Sequence, residues 1–363
     1  RRNRCPDDQA SRRSFGTNHS MAYAQSSASL REFLKPFQSP TLWRSIVELV
    51  LTATPLIVLW AAGAFAVAAG LWWLGLLISI PAAAFVVRMF MIQHDCGHRS
   101  FFKSPWANDW VGRVIGVITL TPHDCWRRTH GIHHATSGNL DRRELGAVRT
   151  VSVKEYDAMT PGQRFGYRLY RNPIVLFVLG PFYVFFLQQR LPHGIMKEGW
   201  RPWVSAMGTN VVLFAALGAV IWMGGLNILL LVWMPTIMLA AMIGVWLFFV
   251  QHQFEETYWA RNDTWEMVEA AMRGSSHYDL PPVLRWLTGN IGVHHIHHVS
   301  ARIPFYKLRE VLKHDPALKD VNRLGMLESI RCAGLTLWDE ASQRLVSFGQ
   351  YARMKAVPPP ATV

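Results

Sequence analysis

The chain has 363 residues, of which 50% are hydrophobic and 12% aromatic, and a formal net charge of +13; length alone permits one to three domains. Residues 49–87 and 203–250 contain no Asp, Glu, Lys or Arg, and uncharged runs this long argue against a water-soluble core. No nucleic-acid motif accompanies the positive charge, and the four cysteines (Cys5, Cys96, Cys125, Cys332) lack a CxxC pair, which argues against a disulfide framework or an iron–sulfur cluster and fits a reducing compartment.

In chain order, residues 1–20 are rich in Arg, Ser and Asn and precede Met21. They read as a disordered or non-native extension, leaving 21–363 as one membrane domain. Residues 28–44 read as an amphipathic lead-in at the membrane interface. The 39 residues of the first uncharged run would reach roughly 58 Å as helix, against about 30 Å of hydrocarbon. Each run is therefore predicted to cross twice, with spans near 47–69, 72–93, 203–223 and 227–250. The turns fall at Gly70-Leu71-Trp72 and Gly224-Gly225-Leu226-Asn227. Residues 174–187, apolar but short and interrupted by Gly180-Pro181, read as an interfacial or re-entrant helix. Arg88, near the end of the second span, is expected to snorkel to the interface. An amphipathic helical end is expected over 303–348. The fold class is thus an all-α integral membrane protein. Four transmembrane helices form two hairpins, joined by interfacial helices and a cytoplasmic helical cap that carries the histidines.

Three histidine clusters carry the chemistry: His94-Asp-Cys-Gly-His98, His130-Gly-Ile-His133-His134 and His294-His295-Ile-His297-His298. Spacings of i, i+3 and i+4 put rings on one face of a helix, and neutral imidazole suits iron, copper, zinc or nickel. One ion takes about three or four such ligands, so eight to ten histidines from three segments point to two. The predicted spans contain no histidine, which argues against a haem held between facing helices. There is no Glu-x-x-His, the signature of carboxylate-bridged di-iron bundles. A metal transporter would carry ionisable ligands inside the spans, where only Glu48, near an end, is found.

These clusters resemble the histidine boxes of the membrane-bound fatty acid desaturases. The words HDCGHRSFF, WRRTHGIHHATSGNLDRR, VQHQFE, GSSHYDLP and GNIGVHHIHHVSARIPFYKL look closest to the bacterial and plastid acyl-lipid Δ12 (omega-6) group. The resemblance implies that His94, His98, His130, His133, His134, His294, His297 and His298 ligate two iron ions, with His252 as a ninth ligand and His277 as its rival. Asp95, Glu255, Glu256, Asn290 and His295 would stand behind the ligands, orienting rings or facing the surface. The implied activity is O₂-dependent cis desaturation of an acyl chain, from oleoyl to linoleoyl on a lipid. A hydroxylase, acetylenase or epoxygenase on the same scaffold is the alternative. The His-Pro-Gly-Gly of a fused cytochrome b5 is absent, so electrons would come from a separate, ferredoxin-like protein. Arg127, Arg128, Arg142, Arg143, Arg164, Arg168 and Arg171 would be its landing surface. Basic residues put the termini and all three boxes in the cytoplasm of a bacterial inner membrane.

Overall fold

The computed structural model describes residues 27–143 and 145–356. The extension expected at 1–20, and Cys5 with it, lie outside the described residues. The lead-in is helix α1 (Ser27–Leu34) with a 3-10 turn, Lys35–Gln38, that buries Leu34 and Phe37.

Four helices are long and apolar enough to cross a membrane: α2 (Leu42–Ala68), α3 (Trp72–Gly97), α9 (Arg201–Trp222) and the segment Leu226–His252, here α10. They pair through Gly70 and Gly224, each at φ +81°, a left-handed conformation in which a side chain would be strained. Helix α3 is central: 56% of its most apolar stretch is buried, against 17–33% for the other three. The outward residues of α2 and α9, such as Phe65 and Trp222, are large and exposed, as befits a lipid-facing surface.

Helices α3 and α10 run past the predicted ends at 93 and 250. Their 26 and 27 residues reach roughly 40 Å, about 10 Å more than a hydrocarbon core. That excess carries the histidine-bearing turns beyond the apolar layer.

Arg88 does not snorkel. It is 1% exposed because its position on α3 faces α2 and the short helix α12 (Pro282–Leu287). Its guanidinium pairs with Glu48 and donates to the Trp286 carbonyl, over whose ring it lies 3.8 Å from the centroid. Arg44 holds the other Glu48 oxygen at 2.7 Å. Removing one partner of a buried ion pair strands the other. Arg88→Ala should therefore cost about 3–5 kcal/mol, read as a large drop in melting temperature in detergent.

Between the hairpins lie α4 (Pro105–Ile118), α5 (His123–Thr136), strand β1 (Val151–Ser152), α6 (Val153–Ala158), α7 (Pro161–Tyr170) and the wide-turned segment α8, Val175–Arg190. Helices α7 and α8 meet at a 61° bend. Helix α8 opens into π turns on both sides of Gly180-Pro181, where the proline has no N–H to donate. A full crossing by α8 would leave His252 on the opposite side from His133, yet the two rings meet. That geometry agrees with a re-entrant path.

The last hairpin is followed by α11 (Met267–Arg273), β2 (His277–Tyr278), α12, α13 (His294–Val299), α14 (Leu308–His314), β3 (Arg323–Leu324), α15 (Met326–Cys332), the hairpin β4 (Leu335–Asp339) and β5 (Arg344–Ser347), and α16 (Phe348–Ala356). The helical end expected over 303–348 is thus only partly helical. Asp339 accepts from the Ala341 and Ser342 amides and the Ser342 hydroxyl, a side-chain-capped turn that competes with helix. β4 then pairs antiparallel with β5 and parallel with β1, and β2 pairs with β3. The molecule is otherwise mostly helical, with its main core running from Ile92 and Val250 to Ile296, Phe305 and Leu308.

Candidate metal centre

Three local devices set the histidine segments against one another. The Gln93 side chain donates to the Thr121 carbonyl at 2.9 Å and accepts from the Thr119 hydroxyl at 2.5 Å, fixing α5 against the end of α3. The end of α10 is tied to the third cluster by Gln251, which donates to the Ile291 carbonyl. Ser276 adds a bond to the Val250 carbonyl. Gly292 lies so close to Tyr278 that a Cβ there would come within 2.3 Å of its carbonyl oxygen.

Nine rings converge as a result, in two groups. His94, His98, His130, His134 and His297 form one; His133, His252, His294 and His298 form the other, and within each the ligand nitrogens lie within 4.8 Å of one another. Helices α5 and α13 each serve both groups. His130 and His134 of α5 point one way while His133 points the other; on α13, His294 and His298 join the second group and His297 the first. The groups abut where His134 stacks on His298 at 4.1 Å.

The donor set fits a pair of metal ions. Facing Nε2 atoms lie 3.0–3.1 Å apart in the pairs His130–His134, His134–His297, His133–His252, His252–His294 and His294–His298. Two neutral imidazoles can share only one proton between such atoms, so each ring of nitrogens aims lone pairs at a common point. Ligands about 2.1 Å from one ion would stand about 3 Å apart. Burial, reinforced by neighbouring rings, holds His98, His130, His133, His134, His294, His297 and His298 well below the usual histidine pKa. They are neutral at physiological pH, the form that binds metal.

The opposite nitrogens are steered where a partner is present. Asp95 lies 3.2 Å from His94 Nδ1 and accepts from the Phe305 amide at 2.6 Å. The Gly274 carbonyl lies 3.0 Å from His252 Nδ1. These contacts turn Nε2 of each ring inward.

The remaining expected residues stand elsewhere. His277 faces the Lys319 carbonyl at 2.6 Å and belongs to neither group. His295 points away from its neighbour as helical geometry requires, but is buried, its Nε2 2.9 Å from the Leu318 carbonyl. Burial pushes it down to about 3. Asn290 donates to the Phe305 carbonyl rather than to a ring. Glu255 and Glu256 are exposed, and Glu255 pairs with Arg344. The chain leaves α10 at Gln253 and turns them outward, so neither orients a ligand.

The arginines expected to form a landing surface are largely committed to the protein itself. Arg143 pairs with Glu155, and Arg164 donates to the Tyr156 and Asp157 carbonyls. Arg168 donates to the Tyr156 hydroxyl. Arg171 is buried against Gln253 and the Leu335 carbonyl. Arg127 and Arg128 pair with Asp109 and Glu198. Among the described residues, Arg142 alone of this set has neither an ion pair nor a side-chain hydrogen bond.

The sequence did not reveal which residues line the apolar cavity beside the centre. It measures about 720 Å³ and is walled by Val87, Phe90, Met91, Leu176, Tyr183, Ala240, Ala241, Gly244 and Leu247. His94, His130 and His294 lie along its wall, so both ligand groups reach it. Trp126, also lining it, stacks on His130 at 4.4 Å. Its one sequence signal is the small-residue stripe Ala240, Ala241 and Gly244 on α10, which leaves room for an occupant.

Residues 71–324 match the family described as Fatty acid desaturase. A fatty acid desaturase of Bacillus subtilis is 38% identical over 344 residues, 95% of this chain and 96% of that protein. An sn-1 acyl-lipid omega-3 desaturase (ferredoxin) of Synechocystis is 30% identical over 236 residues, 61% of each chain. An sn-1 oleoyl-lipid 12-desaturase of the same organism is 30% identical over 223 residues, 61% of this chain and 62% of its own.

Proposed function

Because this chain belongs to the fatty acid desaturase family, and is thereby an oxidoreductase, we propose that it places a cis double bond in a lipid-bound acyl chain at a histidine-held pair of iron ions. The observation that carries this reading is the apolar cavity with rings from both histidine groups along its wall. The overall change is –CH₂–CH₂– plus O₂, two electrons and two protons to –CH=CH– plus two waters.

The nine rings His94, His98, His130, His133, His134, His252, His294, His297 and His298 would hold the two ions. Iron, when bound, supplies the O₂ activation that side chains alone lack. The chain's own residues position and exclude. Val87, Phe90, Leu176 and Leu247 give the acyl chain apolar contact along its length and keep water from the reacting carbons. A restrained chain presents one pair of carbons to the centre, and that restraint sets both rate and regiochemistry. Asp95 and the Gly274 carbonyl keep His94 and His252 in the orientation that ligation needs.

The electrons come from a separate ferredoxin-like donor, a reading supported by two relatives named as ferredoxin-dependent desaturases. Charge distribution supports an inner-membrane location with the histidines on the cytoplasmic side. A new bond at Δ12 is supported by the flanking words and by three relatives named oleoyl-lipid 12-desaturases.

Expression in a desaturase-poor bacterial host supplied with oleate tests the reading, with linoleate the expected new peak by gas chromatography. A double bond elsewhere would keep the activity and overturn the position. A hydroxy, epoxy or acetylenic product would move the protein to the alternative chemistry, and an unchanged fatty acid profile would reject desaturation.

A further inference from the structure

The two histidine groups differ in how far they reach the surface. His133, His252, His294 and His298 are all buried, whereas His98, His130 and His134 of the other group are only half-buried. His130 turns its accessible edge toward Trp126 and the acyl cavity. His98 and His134, 4.6 Å apart, do not line that cavity, so their carbon edges are accessible elsewhere.

What surrounds those edges is ordered and positive. Arg99 follows His98 directly, and Arg127 lies seven residues before His134 on the same face of α5. Asp109 holds both, at 3.1 Å and 2.9 Å. Arg127 also approaches Asp124 at 3.5 Å, and Asp124 is held by Arg113 at 2.9 Å. Three guanidiniums against two carboxylates leave an excess positive charge at fixed positions, with Lys103 exposed on the adjoining loop. Between Arg127 and His134 stands Gly131, exposed, with open space where a Cβ would lie. The helix presents bare backbone there, so a partner surface can come close to the ligand rings.

We propose that this collar, formed by Arg99, Arg127, Gly131, Lys103 and the edges of His98 and His134, is the docking surface for a small acidic iron–sulfur protein. The five-histidine group would then be where electrons enter. The proposal rests on the desaturase reading above and assigns its partner a place. An acidic surface is attracted to such a collar at low salt, and the attraction fades as the Debye length shrinks. Electron transfer falls steeply with separation, which favours the group whose ligands reach the surface.

The test uses the full-length, iron-loaded protein in nanodiscs and an acidic [2Fe–2S] ferredoxin as probe. Affinity is measured directly, and turnover is driven either by ferredoxin or by the small reductant methyl viologen. Gly131→Glu and, separately, Lys103→Glu should raise the ferredoxin Kd about tenfold at low salt, with the gap closing at high salt. Iron content and viologen-driven turnover should stay at the wild-type level, and Gly131→Ala should bind normally. Wild-type affinity in both reversals would overturn the surface. Failure of the unaltered protein to bind ferredoxin, while viologen still drives desaturation, would overturn the partner class and leave the activity intact. No desaturation with either reductant would instead overturn the reading beneath the proposal. Should Gly131→Glu lose iron, the Lys103→Glu affinity decides.

Discussion

Alanine at His94, His133 or His297 is expected to abolish product formation and to lower bound iron from about two per chain. The three test different points of one construction. His94 comes from the end of α3, His133 is the ring of α5 that crosses to the four-histidine group, and His297 is the ring of α13 that crosses the other way. Because α5 and α13 feed both groups, losing one crossing ring should disturb the neighbouring ion as well as its own. Iron measured by mass spectrometry should therefore fall to one per chain or fewer, with product below detection. His277→Ala and His295→Ala provide the contrast. Their rings face the Lys319 and Leu318 carbonyls, so these changes should cost about 1–3 kcal/mol of stability and retain both ions. Full activity after any of the three ligand changes, or a protein that binds only zinc, would reject the di-iron assignment.

Filling the cavity should separate chain binding from metal binding. Gly244 lines it with open space at its Cβ position, so Gly244→Phe projects a ring toward the acyl path without displacing backbone. Turnover on eighteen-carbon chains should fall more than about tenfold, equivalent to more than about 1.4 kcal/mol in the barrier, while iron content stays unchanged. Shorter chains should be affected less, because they need not pass the obstruction. An unaltered chain-length profile, read by gas chromatography, would mean that the acyl chain lies elsewhere.

The spans and histidine clusters were legible because each is written in local pattern. Uncharged length betrays a membrane crossing, and i, i+4 spacing betrays a shared helix face. The choice between His252 and His277 was not local. It depends on where α10 ends relative to α5 and α13, and the structure gathers His252 with His133, His294 and His298 while leaving His277 outside. Arg88 was misread for a related reason. Its partner Glu48 lies 40 positions away on another helix, so only the packing of α2 against α3 turns an apparent interfacial cation into a buried pair. The arginines after the second cluster looked like a free basic surface because carbonyl acceptors are invisible in composition. The hairpin within 303–348 was missed because its turn, Glu340-Ala341-Ser342-Gln343, has no glycine or proline and is held instead by bonds that the Asp339 side chain accepts.

The interleaving of α5 and α13 also orders the protein's assembly in time. The five-histidine group draws on residues from His94 to His297, and the four-histidine group on residues from His133 to His298. The last long apolar helix ends at His252, so a ribosome has already produced all four before either ligand set is whole. From residue 252 until residue 294 emerges, six of the nine rings already belong to the growing chain with neither set complete. A metal pair that needs both sets would therefore load only a chain whose long apolar helices are already made.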